Sequence, residues 1–335
     1  MVDMKNNHLL SALLSVFIVS SCTTYYYVQT EVGNDLSVDR NVHASGKDKA
    51  HVEFPFYLSD GWTVSKVSES IEIDFYDVRE KMEYVAHKNA SSIGEVNVAG
   101  MEYIDKRFRW FYTYYDYRAV FDGLRDRLPI PFEGYFTEEQ LELYFRGSTP
   151  PGDWNGIEMY CLLDSITRNF AEWYSDATYF VMCDVFEPFC TSGQIEALNV
   201  LKDRFMEGME HEAMFAMRPD EFEERLAAIA PEAGFGKVYE DNSREIEAAY
   251  EIKTETLDCF ESSYMFAIDM PGGYLDGNAE NFIDDNPAWK VDAYRLMCGD
   301  LILEATSRKV NLWAFILTFA VIALLLQIFG KLFSK

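Results

Sequence analysis

The chain has 335 residues, 49% of them apolar and 16% aromatic, enough for one large core or two ordinary ones. Its formal net charge is −27, and Glu133 to Ser262 alone holds 29 Asp and Glu against 9 Lys and Arg. Such a surface repels phosphate backbones, which speaks against nucleic acid as a partner and reads most simply as a solvated acidic face.

At the N-terminus, Lys5 and His8 precede the apolar run LLSALLSVFIVS, which closes in VSSC at Val19–Cys22. A polar start, a short apolar middle and small residues at the end are the layout of a secretory signal, here residues 1–21. About thirteen apolar residues make roughly 20 Å of helix, short of a ~30 Å hydrocarbon core. Met4 serves equally well as a start. VSSC resembles the bacterial lipobox, and that resemblance implies a diacylated Cys22 as the N-terminus of the mature protein. The alternative is an ordinary signal with an incidental cysteine.

Residues 22–132 have the pattern of strands. TYYYVQTEV and DLSVDRNVHA flank Gly33–Asn34, a two-residue hairpin signal. HVEFPFYL, GWTVSKV, SIEIDFYDV and EKMEYVAH continue in alternating, β-branched and aromatic runs. Then comes RFRWFYTYYDYR, residues 107–118. Read as one strand, it puts Phe108, Trp110, Tyr112 and Tyr114 on a core face. Arg107, Arg109, Phe111, Thr113, Tyr115 and Tyr117 fall on the other face. There the tyrosines are expected to lie under the helical insert, with the arginines paired to its acids. Arg107, Arg109, Tyr115 and Tyr117 are the candidate ligand or partner surface.

From residue 133 to 262 the period becomes helical. Thr137 with Gln140 predicts a capping box and Phe136 with Leu141 a hydrophobic staple, opening a helix over 137–146 that Gly147 ends. Further helices are predicted over 154–186, 193–217, 218–231 and 242–259, with Pro219 in the first turn of the fourth. Strands return over 263–307 as SYMFAIDM, WKVDAY and DLILEA, with a polar loop, LDGNAENFIDDNPA, between the first two. The fold class is therefore α+β: an antiparallel β domain, closed by pairing its first and last strands, carrying an acidic helical insert.

VNLWAFILTFAVIALLLQIF, residues 310–329, is twenty residues without a charge, and its thirteen Leu, Ile, Val and Phe each favour insertion. It predicts a transmembrane helix with Trp313 at the interface and a short cytoplasmic tail, 330–335, bearing Lys331 and Lys335. The pair Arg308–Lys309 lies on the side that the positive-inside rule disfavours. A hydrophobic α-helix indicates the inner (cytoplasmic) membrane, with the main domain in the periplasm or outside. Thr23 is not the aspartate that commonly retains lipoproteins there.

Motifs for chemistry are sparse. Cys161, Cys183, Cys190, Cys259 and Cys298 show no CxxC spacing, and an odd count in an oxidising compartment leaves at least one free thiol or an intermolecular bond. Cys161 and Cys183 are expected on the apolar side of a helix, and a Cys190–Cys259 disulfide is an option. Glu207 and His211 at helical spacing offer half a metal site. Asp276, Asn278 and Glu280 suggest a calcium loop, but Pro287 stands where its bidentate Glu belongs. No cofactor, metal site or catalytic residue is assigned.

As a whole the chain resembles a group of uncharacterised bacterial lipoproteins that follow a lipobox with a β-rich extracytoplasmic domain and finish with one transmembrane helix. VSSC and residues 310–329 carry that resemblance, about a tenth of the chain. It implies location and topology, with the chain held in the bilayer by Cys22 acyl chains and by helix 310–329, and supplies no catalytic residue. The anchoring and the lack of catalytic motifs point to a non-enzymatic envelope protein that binds another envelope or membrane protein or helps a membrane complex assemble. The alternative is a membrane-bound envelope hydrolase or glycan-binding module.

Overall fold

The structure, a computed structural model, describes residues 24–46, 54, 60–73, 78–98, 100–146, 156–279 and 281–333. The signal segment, the lipobox with Cys22 and nearly all of HVEFPFYL lie outside them. The chain folds as two compact units. One comprises Thr23–Asp122, Ser263–Val291 and Asp300–Lys335; the other comprises Gly123–Ser262 and Asp292–Gly299. The class is α+β with antiparallel sheets.

The β unit has eleven strands among the described residues: β1 (Thr24–Val32), β2 (Val38–Gly46), β3 (Thr63–Ile73), β4 (Val78–Ala90), β5 (Met101–Phe108), β6 (Tyr112–Phe121), β7 (Ser262–Asp269), β8 (Gly273–Gly277), β9 (Asn281–Ile283), β10 (Asn286–Asp292) and β11 (Leu301–Val310). They form one sheet in the order β3-β4-β2-β1-β7-β10-β9 and a second in the order β5-β6-β11-β8. The first and last strands do not pair, contrary to expectation: β1 and β11 stand in different sheets.

Period-two alternation explains the packing between the sheets. Tyr26, Val28 and Val32 of β1, Val38, Val42 and Ala44 of β2, and Tyr115, Tyr117, Ala119 and Phe121 of β6 are all buried. Tyr117 meets Trp289 of β10 at 5.8 Å and Phe121 meets Phe266 of β7 at 5.2 Å between ring centroids. Into this apolar layer the chain places one ion pair. Arg40 of β2, fully buried, donates to both carboxylate oxygens of Glu102 on β5 at 2.6 and 2.7 Å. Its remaining bonds go to Thr30 Oγ1 and the Val96 carbonyl, and the Tyr117 hydroxyl donates to Glu102 at 3.0 Å. Every buried side-chain polar atom among the described residues has a partner.

Three turns differ from the sequence expectation. The β1–β2 connection is not a two-residue Gly33–Asn34 turn, because Val32 pairs with Val38 and five residues intervene. Leu36 takes the left-handed conformation at φ 72°, and the Asp35 carboxylate accepts from Ser37 N and Oγ. The polar loop after β7 carries strands: β8 pairs with β11, and β9 returns as β10 through Asp284 and Asp285 at φ 51° and 66°. Two successive positive φ values make the hairpin turn whose twist matches the strands, and aspartate tolerates them. Finally, RFRWFYTYYDYR is not one strand. It breaks at Arg109–Phe111 into a hairpin between β5 and β6.

In the helical unit the Thr137–Gln140 capping box forms as predicted, but the turn it opens continues over Leu141–Phe145 as a π-helix. Helix α1 (Gly156–Phe186) is the long element predicted there. The expected helix 193–217 is three: α2 (Ser192–Val200), α3 (Lys202–Met206) and α4 (His211–Phe215). Glu207 is extended and Gly208 sits at φ 71°, which ends α3. Helix α5 (Pro219–Ile229) begins at its proline, and α6 (Val238–Asp258) starts four residues early with a kink at Asn242. The core of this unit is aromatic: Phe205 and Phe222 are 4.9 Å apart, and Tyr179 meets both rings edge-on. Ala293–Leu296, expected to continue WKVDAY as strand, is a helical turn capped by the Asp292 side chain, and its Tyr294 belongs to the helical core.

The chain ends in helix α7 (Leu312–Phe333). Its first eighteen residues have a mean hydropathy of 2.5 and only 6% of them are buried, so it is not a core helix of the unit. It is long and apolar enough to cross a membrane.

Candidate functional site

The site is the join between the β unit and α7. Asn311 is the single residue separating β11 from the helix, and it is 8% exposed. Its backbone N donates to the Phe111 carbonyl at 2.9 Å, and its side-chain amide donates to the Arg109 and Trp110 carbonyls at 2.9 and 3.3 Å. Its amide oxygen accepts from Thr113 Oγ1 at 3.0 Å. One asparagine thus satisfies all three carbonyls of the β5–β6 turn, groups a three-residue turn leaves without ladder partners.

The aromatics follow. Trp110 Nε1 donates to Thr318 Oγ1 at 2.9 Å, six residues into the helix. Trp313 meets Trp110 edge-on at 5.2 Å and lies parallel to Phe108 at 6.4 Å; Phe111 meets Phe315 at 4.5 Å. Phe108, Trp110 and Trp313 nevertheless keep 57, 46 and 51% of their surface exposed. The core face predicted for Phe108, Trp110, Tyr112 and Tyr114 is therefore reversed: the buried face is Thr113, Tyr115 and Tyr117. A hydrophobic stripe does not by itself say which side it faces when an exposed apolar helix lies beside it.

Of the candidate surface residues, Tyr115 and Tyr117 are buried between the sheets, leaving Arg107 and Arg109 at the surface. Arg107 pairs with Asp116 on the neighbouring strand at 2.5 Å, not with acids of the helical insert. That hydrogen bond, with a second from Thr306, holds the Asp116 carboxyl below its ordinary range despite partial burial. Burial pushes the Tyr117 phenol well above its usual value, so it remains a donor to Glu102. Arg109 has no carboxylate within ion-pairing distance among the described residues, nor has Arg308, whose guanidinium lies 4.8 Å over the Tyr112 ring. The Lys309 amine and the Lys106 amine both reach Asn34, through its side-chain oxygen and its carbonyl.

The remaining candidates come apart. The break at Gly208 takes Glu207 and His211 off a common helix, and His211 Nδ1 faces Ser175 Oγ at 3.0 Å. Asn278 ties β8 to its neighbours: its amide oxygen accepts from Trp289 Nε1 and Glu304 N, and its nitrogen donates to Ile302 O. The five cysteines among the described residues are free thiols, Cys190 and Cys259 included, and Cys161 is exposed rather than on the apolar side. Burial raises Cys183 to about 12 and Cys190 to about 11. No group of three His, Cys, Asp or Glu suited to a metal occurs among the described residues.

No protein-family model matches the chain, and no curated protein matches it. Among solved structures it is similar to the folded domain of the LppM protein of Mycobacterium tuberculosis, determined by NMR. That likeness has a TM-score of 0.28 at 7% identity and covers 87% of this chain and 92% of the other.

Proposed function

We propose that the protein is a membrane-tethered lipoprotein of the bacterial envelope, without catalytic activity, whose folded body outside the cytoplasm binds another envelope or membrane protein. The observation that supports it most is the continuity of β11 with α7 through Asn311: an exposed apolar helix is bonded to the folded body, so that body is held against the membrane the helix enters. Export, lipidation of Cys22 and a cytoplasmic C-terminus rest on the signal and lipobox pattern. The acidic helical unit, with apolar Ile157, Tyr160 and Ile252 exposed on its helices, offers a surface for a partner that is basic and partly apolar.

Cross-linking in intact membranes followed by mass spectrometry of captured proteins is the test. A reproducible envelope partner is the expected result, and recovery of the protein alone counts against it. Separately, Cys22→Ser should abolish lipid labelling; labelling that survives removes the lipobox from the account.

A further inference from the structure

The outer face of the four-stranded sheet is banded along the strands. Arg118 pairs across to Glu304 at 3.3 Å. The next row toward α7 is acidic, Asp105, Asp116 and Asp276, with Thr306 among them. Below it run Arg107, Tyr114 and Arg308 in register, and then Tyr112 and Val310 with Arg109 beside them. Each row is two residues further along the strand, about 7 Å. The last band is aromatic, Trp110 and Phe111 with Trp313, and it lies against the helix.

Charge, then arginine with tyrosine, then tryptophan, then an apolar helix is the order in which a bilayer changes from water to headgroup to hydrocarbon. The depth agrees. Trp110 bonds to Thr318, six residues past Leu312 and so roughly 9 Å along the helix at 1.5 Å per residue. A headgroup layer is about 5–8 Å thick on each side of the hydrocarbon core. A helix entering at Leu312 crosses that layer within those roughly 9 Å, so a turn that reaches Thr318 brings the Trp110 ring to the layer's inner boundary if α7 spans. The cations agree as well. In a chain with 56 acids against 29 bases, Arg109 and Arg308 have no carboxylate partner among the described residues, and both stand at the foot of the sheet. Arg308 leans over Tyr112, one row nearer the helix than its own register position. Within a chain so rich in carboxylates, cations left for an outside anion are out of place unless an anion is supplied there.

We infer that the β5–β6 hairpin tip is a membrane wedge: Phe108 and Trp110 enter the bilayer interface beside Trp313, and Arg109 with Arg308 binds the phosphates of anionic phospholipids. This rests on the membrane-tethered reading, and it adds a second contact of the folded body with the same bilayer. Arginine suits the task because its planar fork takes two phosphate oxygens at once. It also explains why Arg308–Lys309 runs against the positive-inside rule: Arg308 serves headgroups at the sheet's foot and Lys309 holds Asn34, rather than either setting topology.

The test uses the full chain in nanodiscs of phosphatidylcholine and phosphatidylglycerol. The part of the tryptophan emission lost in Trp110→Phe is the Trp110 signal. Lipids brominated near the headgroup should quench that signal, and aqueous acrylamide should not; the reverse overturns the wedge. In native mass spectrometry, Arg109→Gln with Arg308→Gln should lower the number of phosphatidylglycerols retained at least twofold; equal retention overturns the phosphate site. Competition by millimolar inorganic phosphate would make it a site for free anions and overturn the lipid assignment. If α7 does not span, the protein leaves membranes on alkaline extraction, a failure of the tether that is distinct from unquenched Trp110 in a well-inserted protein.

Discussion

Arg40 carries a permanent charge into the space between two sheets, and its neighbours account for four hydrogen bonds. A buried pair of this kind contributes little over an apolar pair but costs heavily when half is removed. Arg40→Ala should therefore destabilise the protein by about 3–5 kcal/mol, while replacing Arg40 and Glu102 together by Met and Leu should be close to neutral. Denaturant titration of the full chain in micelles compares them, and equal losses would mean that packing rather than charge decides. Asp116 behaves differently because it is partly exposed. Its carboxyl titrates below the ordinary 3.8 in the folded protein, chiefly through Arg107. The stabilisation is therefore fully present above that ordinary value and is lost as pH falls through the lower folded one. The gap in unfolding midpoint between wild type and Asp116→Asn should be constant above about pH 5 and close on further acidification. A gap that persists at low pH would assign the effect to hydrogen bonding of the neutral acid. The thiols divide by burial: with Cys183 near 12 and Cys190 near 11, both stay protonated at neutral pH, so a maleimide should mark exposed Cys161 first. Mapping modified peptides over time checks the order.

At the scale of elements, Asn311 ends a strand, starts a helix and holds a turn. Asn311→Ala leaves the Arg109 and Trp110 carbonyls without their amide donor, a loss of roughly 1–3 kcal/mol felt at the hairpin. Trypsin should then nick the chain at Arg107 or Arg109 faster, and unchanged nicking would show that the aromatic contacts suffice. Much of the element plan was legible. Alternation marked the strands, the Thr137–Gln140 box and Pro219 marked helix starts, and the helical period gave α1 and α6 within a few residues. The misses have local causes. Gly208 splits an amphipathic stripe that runs on regardless of the break, since periodicity registers faces and not continuity. The turn at Asp284–Asp285 hides β9 and the first residues of β10 in a stretch whose composition is that of a loop. RFRWFYTYYDYR has no Gly, Pro or Asn to announce a hairpin, because its turn is held by Asn311, about two hundred residues away in sequence. That distance is also why the site was half legible: the aromatic and arginine content stood out, but the partner that orients it is on another strand.

For the whole molecule, the decisive property is the apolar helix. Leu324→Arg places a charge near the middle of α7, at a cost of about 2.5–3.5 kcal/mol to insertion. The variant should appear in the alkaline-soluble fraction, and full retention in the membrane would mean that another anchor suffices. The order strand, helix, strand, apolar helix was visible from composition shifts alone. What composition does not encode is that the last strand would sit between β6 and β8 rather than beside β1.

The strand β1 sets a length. Its far end leads into the loop where Asn34 is held by Lys309, next to the start of α7, and Thr24 stands at its other end. Nine residues of strand measure about 30 Å. An acyl chain attached just before Thr24 and a helix attached beyond Lys309 would then act on opposite ends of a strut. The upright posture that the banded sheet requires lifts the Thr24 end about 30 Å clear of the bilayer that holds α7. Lying flat would instead press one whole side of the sandwich, its acidic row included, onto a single leaflet. Energy transfer from a dye on Ser45, which pairs beside Thr24, to an acceptor at the bilayer surface distinguishes the two postures.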